Sequence, residues 1–294
     1  MSGARWTAPD GVAIFYEDQP GPTDALPVIC LPGLTRSARD FDALAAHLAG
    51  ARRVIRPEMR GRGRSDRADP ATYTLPVEVG DILGLLASLG VARAVFVGTS
   101  RGGLQTMALA AANPALVAGA ALNDIGPEIG PEGMARIVDG LTRAPDSFPD
   151  WAAAAEALRA TYGAEFTDLS DAQWAGFARQ LFVERDGRPA RDYDPALVAA
   201  TAAAVAAGEA ALKAAAEAGQ PAPDLWPLFD ALKPVPALAI RGANSALLTA
   251  ETLTKMAARK PDLAVLTLPN RGHAPFLDEP QALAAIDALL ARAA

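Results

Sequence analysis

The chain has 294 residues, 51% of them hydrophobic, with a net charge of −7 and a pI near 5.0. That allows one large core or a core with an insertion, and the absence of any basic block argues against nucleic acid or an anionic membrane surface as partners. One cysteine, Cys30, excludes an internal disulfide and fits a reducing, cytoplasmic setting, and two histidines, His47 and His273, give a histidine-based metal cluster too few ligands.

The N-terminal stretch from Met1 to Trp6 lacks the apolar core of a signal peptide. Residues 5–17 read as a hairpin turning at Asp10-Gly11, with Val12, Ile14 and Tyr16 alternating. Residues 27–31 form a short apolar strand ended by Pro32-Gly33, residues 40–49 have helical spacing and include His47, and residues 53–56 form another strand. The segment Arg60-Gly61-Arg62-Gly63-Arg64-Ser65-Asp66 is flanked by acids and lacks a Walker lysine pattern, so it reads as a structured surface turn. An amphipathic helix over 77–89, an apolar strand from Ala94 that meets Gly98, a helix over 104–112 and a strand at 117–122 follow.

From about Gly126 the alternation stops for roughly a hundred residues, and prolines punctuate helical stretches rich in aromatics such as Trp151, Tyr162 and Phe177. Within them the alanine-rich run 196–218 carries Glu209, Lys213 and Glu217, which marks a soluble helix, and no uninterrupted apolar run is long enough to span a bilayer. Strand pattern resumes at 236–240, then come a helix at 249–260, a strand at 263–268 and a helix at 280–292. The alternation implies an α/β fold with a mostly parallel sheet covered on both faces. The expected division is a core over 1–125, a helical cap over 126–223 and the rest of the core over 224–294.

The chemistry centres on Gly98-Thr99-Ser100-Arg101-Gly102, which joins an apolar strand to a helix. A serine on such a turn exposes its hydroxyl, the glycines leave it room, and the helix N-terminus offers free N–H groups to a developing negative charge. Ser100 is therefore the candidate nucleophile, against the plainer reading of a helix-capping serine. A serine hydroxyl needs a base and oxyanion donors. His273, in a loop after the last strand, is the candidate base, while His47 reads as a core or loop histidine. The Arg101 N–H and the Leu34 N–H are the expected oxyanion donors, since Pro32 has none to give.

These features resemble the α/β-hydrolase fold superfamily over nearly the whole chain: Leu31-Pro32-Gly33-Leu34 as the oxyanion loop, the arginine-rich turn at 60–66, the Ser100 elbow and Gly272-His273. The nearest likeness is to bacterial carboxylesterases and lactonases with a serine nucleophile. The resemblance implies an eight-stranded sheet, a helical cap and no cofactor. One member of the pattern is absent: where similar proteins carry an aspartate in Asn-Ser-Asp-Leu-Leu, this chain has Ala246 in Asn244-Ser245-Ala246-Leu247-Leu248. Two explanations stand. Asp124, just beyond the strand after Ser100, supplies the acid, as in some members of the superfamily, or Ala246 marks a lost acid and an impaired enzyme. The plainer role for Asp124 is local capping of its turn.

Arg101 opposes the dipole of the helix it begins and so calls for an anion, either Asp124, Glu128 or a substrate carboxylate with Arg36 as a second contact. The expected activity is hydrolysis of a small carboxylic ester or lactone through an acyl-enzyme. The alternatives are a ligand-binding homologue that lost catalysis, and a C–C bond hydrolase or acyltransferase using the same site. The sequence leaves the oligomeric state open.

Overall fold

The computed structural model describes residues 2–218, 220 and 224–293. The expected cap boundary at residue 223, Met1 and Ala294 lie outside them. The first strands, β1 (Ser2–Thr7) and β2 (Ala13–Gln19), form the antiparallel hairpin read from Asp10-Gly11. Then come β3 (Val28–Leu31), β4 (Val54–Pro57), β5 (Ala94–Thr99), β6 (Val117–Asn123), β9 (Ala237–Gly242) and β10 (Ala264–Leu268). The eight make one sheet in the order β1-β2-β4-β3-β5-β6-β9-β10, parallel from β4 onward. Strands β3, β5 and β6 are buried at every position, which is why their sequences are continuous apolar runs rather than alternating ones.

Helices cover both faces. On one, α2 (Leu75–Ser88), α3 (Arg101–Ala112) and α9 (Ala250–Arg259) pack Ile82, Met107 and Met256 into a shared core. On the other, α1 (Asp42–His47) and α10 (Pro280–Arg292) contribute Leu44 and Ile286. Cys30 is fully buried on this second side, and burial pushes its thiol up to about 12.

Between β6 and β9 lie α4 (Pro131–Arg143), α5 (Trp151–Tyr162), α6 (Asp171–Leu181), α7 (Ala196–Glu217) and α8 (Trp226–Asp230). An aromatic cluster of its own, with Phe166, Trp174, Phe177 and Phe182, packs on Phe276 from the loop that follows β10. This segment also contains a hairpin the periodicity hid, β7 (Phe182–Arg185) with β8 (Arg188–Arg191). Its turn is Asp186-Gly187, both at positive φ, a turn type for which Asp-Gly is well suited. The 196–215 stretch of α7 is long and apolar enough to cross a membrane by length and composition alone, and little of it is buried.

Two expectations are corrected. The 60–66 turn is a surface turn only in part: Arg64 and Asp66 are exposed, but Arg60 and Arg62 are almost completely buried, held by Asp81 and Glu78 on α2. His47 is not a core histidine. It ends α1 at the surface, with Nε2 2.8 Å from Asp287.

Candidate active site

Close approach explains the residues around Ser100. A Cβ on Gly98 would stand 2.3 Å from the Gly102 carbonyl oxygen, and one on Gly102 would stand 1.9 Å from that of Leu31, so the turn closes only with glycine at both positions. Ser100 itself sits at φ 52°, ψ −115°, a strained backbone for a residue with a side chain. The strain is held in place from both sides: the Ser100 amide donates to the Asn123 carbonyl at 2.9 Å, and its own carbonyl accepts from Gly103 at 2.8 Å.

The His273 imidazole meets this turn. Its Nε2 lies 2.9 Å from Ser100 Oγ, and its Nδ1 lies 2.8 Å from Asp124 Oδ2. An ionised carboxylate only accepts, so Nδ1 carries the proton and Nε2 is left as the acceptor facing the hydroxyl. Asp124 is wholly buried at φ 54° directly after β6. Its carboxylate accepts twice more, from the Gly242 amide at 2.9 Å and from Ser245 Oγ at 2.5 Å. Three donors offset the cost of burying this charge. The Asn123 side chain bonds the Pro275 carbonyl at 2.9 Å, tying the end of β6 to the histidine loop.

Of the two explanations for the missing aspartate, the structure brings Asp124 to His273. Ala246 has no polar side-chain atom to offer, but its neighbour Ser245 touches the Asp124 carboxylate. The loop after β9 therefore donates to a carboxylate that the loop after β6 carries.

A cavity of about 470 Å³ opens above Ser100 and His273, with Gly33, Leu34 and Arg36 along one wall and residues of α4, α5 and α6 along the other. A sequence model of the family described as "Alpha/beta hydrolase family" matches residues 28–286. This chain belongs to the alpha/beta hydrolase family. A crystal structure of an alpha/beta hydrolase from Novosphingobium aromaticivorans is similar, with a TM-score of 0.89 and 44% identity over 99% of this chain and 98% of that one. Among curated proteins, a 3-hydroxybutyrate-oligomer hydrolase from Cupriavidus necator is 34% identical over 92% of this chain and 89% of its own. A 2-(acetamidomethylene)succinate hydrolase from Mesorhizobium japonicum is 28% identical over 82% and 79%. The common denominator is hydrolysis of small molecules, and this chain is a hydrolase of the family.

In this alpha/beta hydrolase the two residues expected to offer oxyanion amides share one buried ion network. Arg62 Nε donates to the Leu34 carbonyl at 2.8 Å. Its Nη2 lies 2.9 Å from Glu78 Oε1, a charge contact rather than an aligned hydrogen bond. Glu78 Oε2 in turn accepts from Arg101 Nε at 2.6 Å and from Gln105 at 2.9 Å. Burial pushes the Arg62 guanidinium below the usual arginine range, and the Glu78 charge opposes that shift. Gly33 lies beside Ser100, since a Cβ there would be 3.8 Å from Ser100 Cβ. Arg101 heads α3, so its amide has no partner four residues back in the helix.

Arg101 thus finds its anion in Glu78, not in Asp124 or Glu128, and Glu128 pairs instead with Lys255. Arg36 lines the cavity but is held by Asp40 through contacts of 2.7 to 2.9 Å, with its guanidinium over the Phe177 ring. Sequence reasoning missed Arg62, Glu78 and Ser245. The signal for the first two was available: Glu78 and Asp81 sit three apart on the face of α2 that also carries Ile82 and Leu85, where charge is unexpected without a partner. Glu165, also missed, accepts from the His273 amide at 3.2 Å, joining the segment between β6 and β9 to the histidine loop.

Proposed function

We propose that this alpha/beta hydrolase is a serine hydrolase that cleaves carboxylic esters through an acyl-enzyme. The observation that carries the reading is the unbroken chain Ser100 Oγ–His273–Asp124, with steps of 2.9 and 2.8 Å, at the floor of the cavity. His273 takes the Ser100 proton as Oγ attacks the carbonyl, and Asp124 stabilises the imidazolium that forms. The Leu34 and Arg101 amides receive the oxyanion; each such donor is worth roughly 10²–10³ in rate. His273 then protonates the departing alcohol. Water attacks the acyl-enzyme with the same histidine as base, and the acid leaves.

Ester chemistry is favoured over epoxide opening or dehalogenation because the nucleophile is a serine, whose acyl adduct water can discharge. The similarity to a 3-hydroxybutyrate-oligomer hydrolase points the same way. A binding protein that lost its acid fits poorly with a buried carboxylate on the histidine.

Hydrolysis of p-nitrophenyl butyrate followed from the first turnover tests the reading. The expected result is a burst of one p-nitrophenol per chain, or single-exponential acylation, abolished in Ser100→Ala. Equal rates in the two proteins would refute it.

A further inference from the structure

The cavity is not apolar all the way from the nucleophile. Tyr162 and Tyr193 form part of its wall, and neither phenol hydroxyl has a hydrogen-bond partner among the described residues. Each stands near a guanidinium and a carboxylate: burial raises the Tyr193 hydroxyl, with the charge of Arg191 opposing and that of Asp146 adding, and burial raises that of Tyr162, with Arg36 opposing and Glu165 adding. Arg36 is already matched by Asp40. Arg191 lies over the Tyr193 ring, 5.8 Å from its centroid, and has no such close carboxylate. Its Nε donates to the Pro145 carbonyl at 3.0 Å, and its one carboxylate contact is to the solvent-exposed Asp146 at 3.4 Å, a weak partner in water.

Arg191 and Tyr193 also line a second cleft, of about 590 Å³, so the two share a wall. It adds Arg67, Arg185 and Arg188 against two aspartates, Asp146 and Asp186. The guanidinium groups of Arg67 and Arg188 have no ion-pair or hydrogen-bond partner among the described residues. In a chain of net charge −7 this is a local reversal of sign, and it continues from the site that Ser100 serves.

We propose that the substrate is an ester bearing a free carboxylate several carbons from the scissile bond, with the carboxylate received by the Tyr162 and Tyr193 hydroxyls and the Arg191 guanidinium. This rests on Ser100 as nucleophile. Phenol hydroxyls and a guanidinium are all donors, which suits an acceptor-only carboxylate and leaves a neutral alkyl tail with unmet polar groups. The cleft beyond adds long-range attraction for the anion. For a monomethyl dicarboxylate the balance is simple. Ser100 Oγ bonds the acyl carbon as the C–O bond to methanol breaks, and water then releases the dicarboxylate and restores the serine, His273 carrying the proton in both halves.

Matched pairs test it: monomethyl adipate and monomethyl suberate against methyl hexanoate and methyl octanoate, with acid release followed at two salt concentrations. The expected result is a kcat/KM at least tenfold higher for the half-esters, lying mainly in KM and shrinking with salt. Arg191→Gln and Tyr193→Phe should each cut the half-ester to alkyl-ester ratio by about tenfold, with Arg191→Lys recovering part of it. Turnover of the alkyl esters with no half-ester preference, or a ratio unmoved in both variants, would overturn the proposal and leave the serine mechanism standing. If neither ester type is hydrolysed and Ser100 resists fluorophosphonate, the serine reading fails instead. Calorimetric titration of Ser100→Ala with monomethyl adipate then decides this proposal separately: saturable binding lost in Arg191→Gln supports it, and no binding overturns it.

Discussion

The loops after β6 and β9 divide one task between them. The strands are parallel neighbours, with Asn123 opposite Ile240, so both loops emerge beside the His273 ring. The first gives Asp124, buried and strained at φ 54°; the second gives the Ser245 hydroxyl, which with the Gly242 amide at the end of β9 bonds its carboxylate. The imidazole needs a negative charge at Nδ1 and is indifferent to which strand delivers it. Ala246 therefore does not show that the acid is lost. The charge and its supporting donors can sit on opposite sides of the same gap.

Substitutions in the two loops break or sharpen this comparison. Asp124→Asn is expected to have the largest effect, a fall of about 10⁴ in kcat with the fold retained, since an amide favours the wrong imidazole tautomer; steady-state kinetics and circular dichroism check it. Adding Ala246→Asp to that variant is expected to restore part of the activity, by about tenfold or more, because the neighbouring Ser245 already reaches the carboxylate that meets the histidine. No gain in the double variant would mean that the loop after β9 cannot carry the charge in this chain. Ser245→Ala removes a hydrogen bond to a buried carboxylate, worth about 1.5–3 kcal/mol, and should lower kcat by about 10–100-fold if the loss falls on the transition state. Ala246→Asp alone is expected to change kcat by less than about tenfold and not to raise it, since Asp124 already meets the imidazole and a second carboxylate nearby repels it. A large increase would show that Asp124 is not the working acid.

A fifth expectation contrasts the buried network with these loops. Glu78→Ala leaves Arg62 charged and unpaired in the core and should cost about 3–5 kcal/mol of stability, seen as a lower urea midpoint.

Much of this could be read in the sequence because it is local. The elbow needs only an apolar strand, small residues at fixed offsets and a helix, all contiguous from Ala94 to Ala112. The last helix was bounded by Pro280 and Arg292 in sequence and structure alike. The acid was harder, because its choice depends on which strands become neighbours, and Asp124 and Ser245 lie 121 residues apart in the chain. The burial of Arg60 and Arg62 was missed for a similar reason: a glycine- and arginine-rich turn looks solvated until the acids of α2 are brought against it. The hairpin over 182–191 was hidden by its short strands, though Asp186-Gly187 marked its turn.

The rate at which a fluorophosphonate labels Ser100, read by intact mass in the unaltered chain and in Asp124→Asn, tests the central claim without any assumption about substrate. The account predicts one label per chain at Ser100 within minutes, slowed by at least about 10³ in Asp124→Asn. Equal labelling rates in the two proteins, or a label that bypasses Ser100, would contradict it.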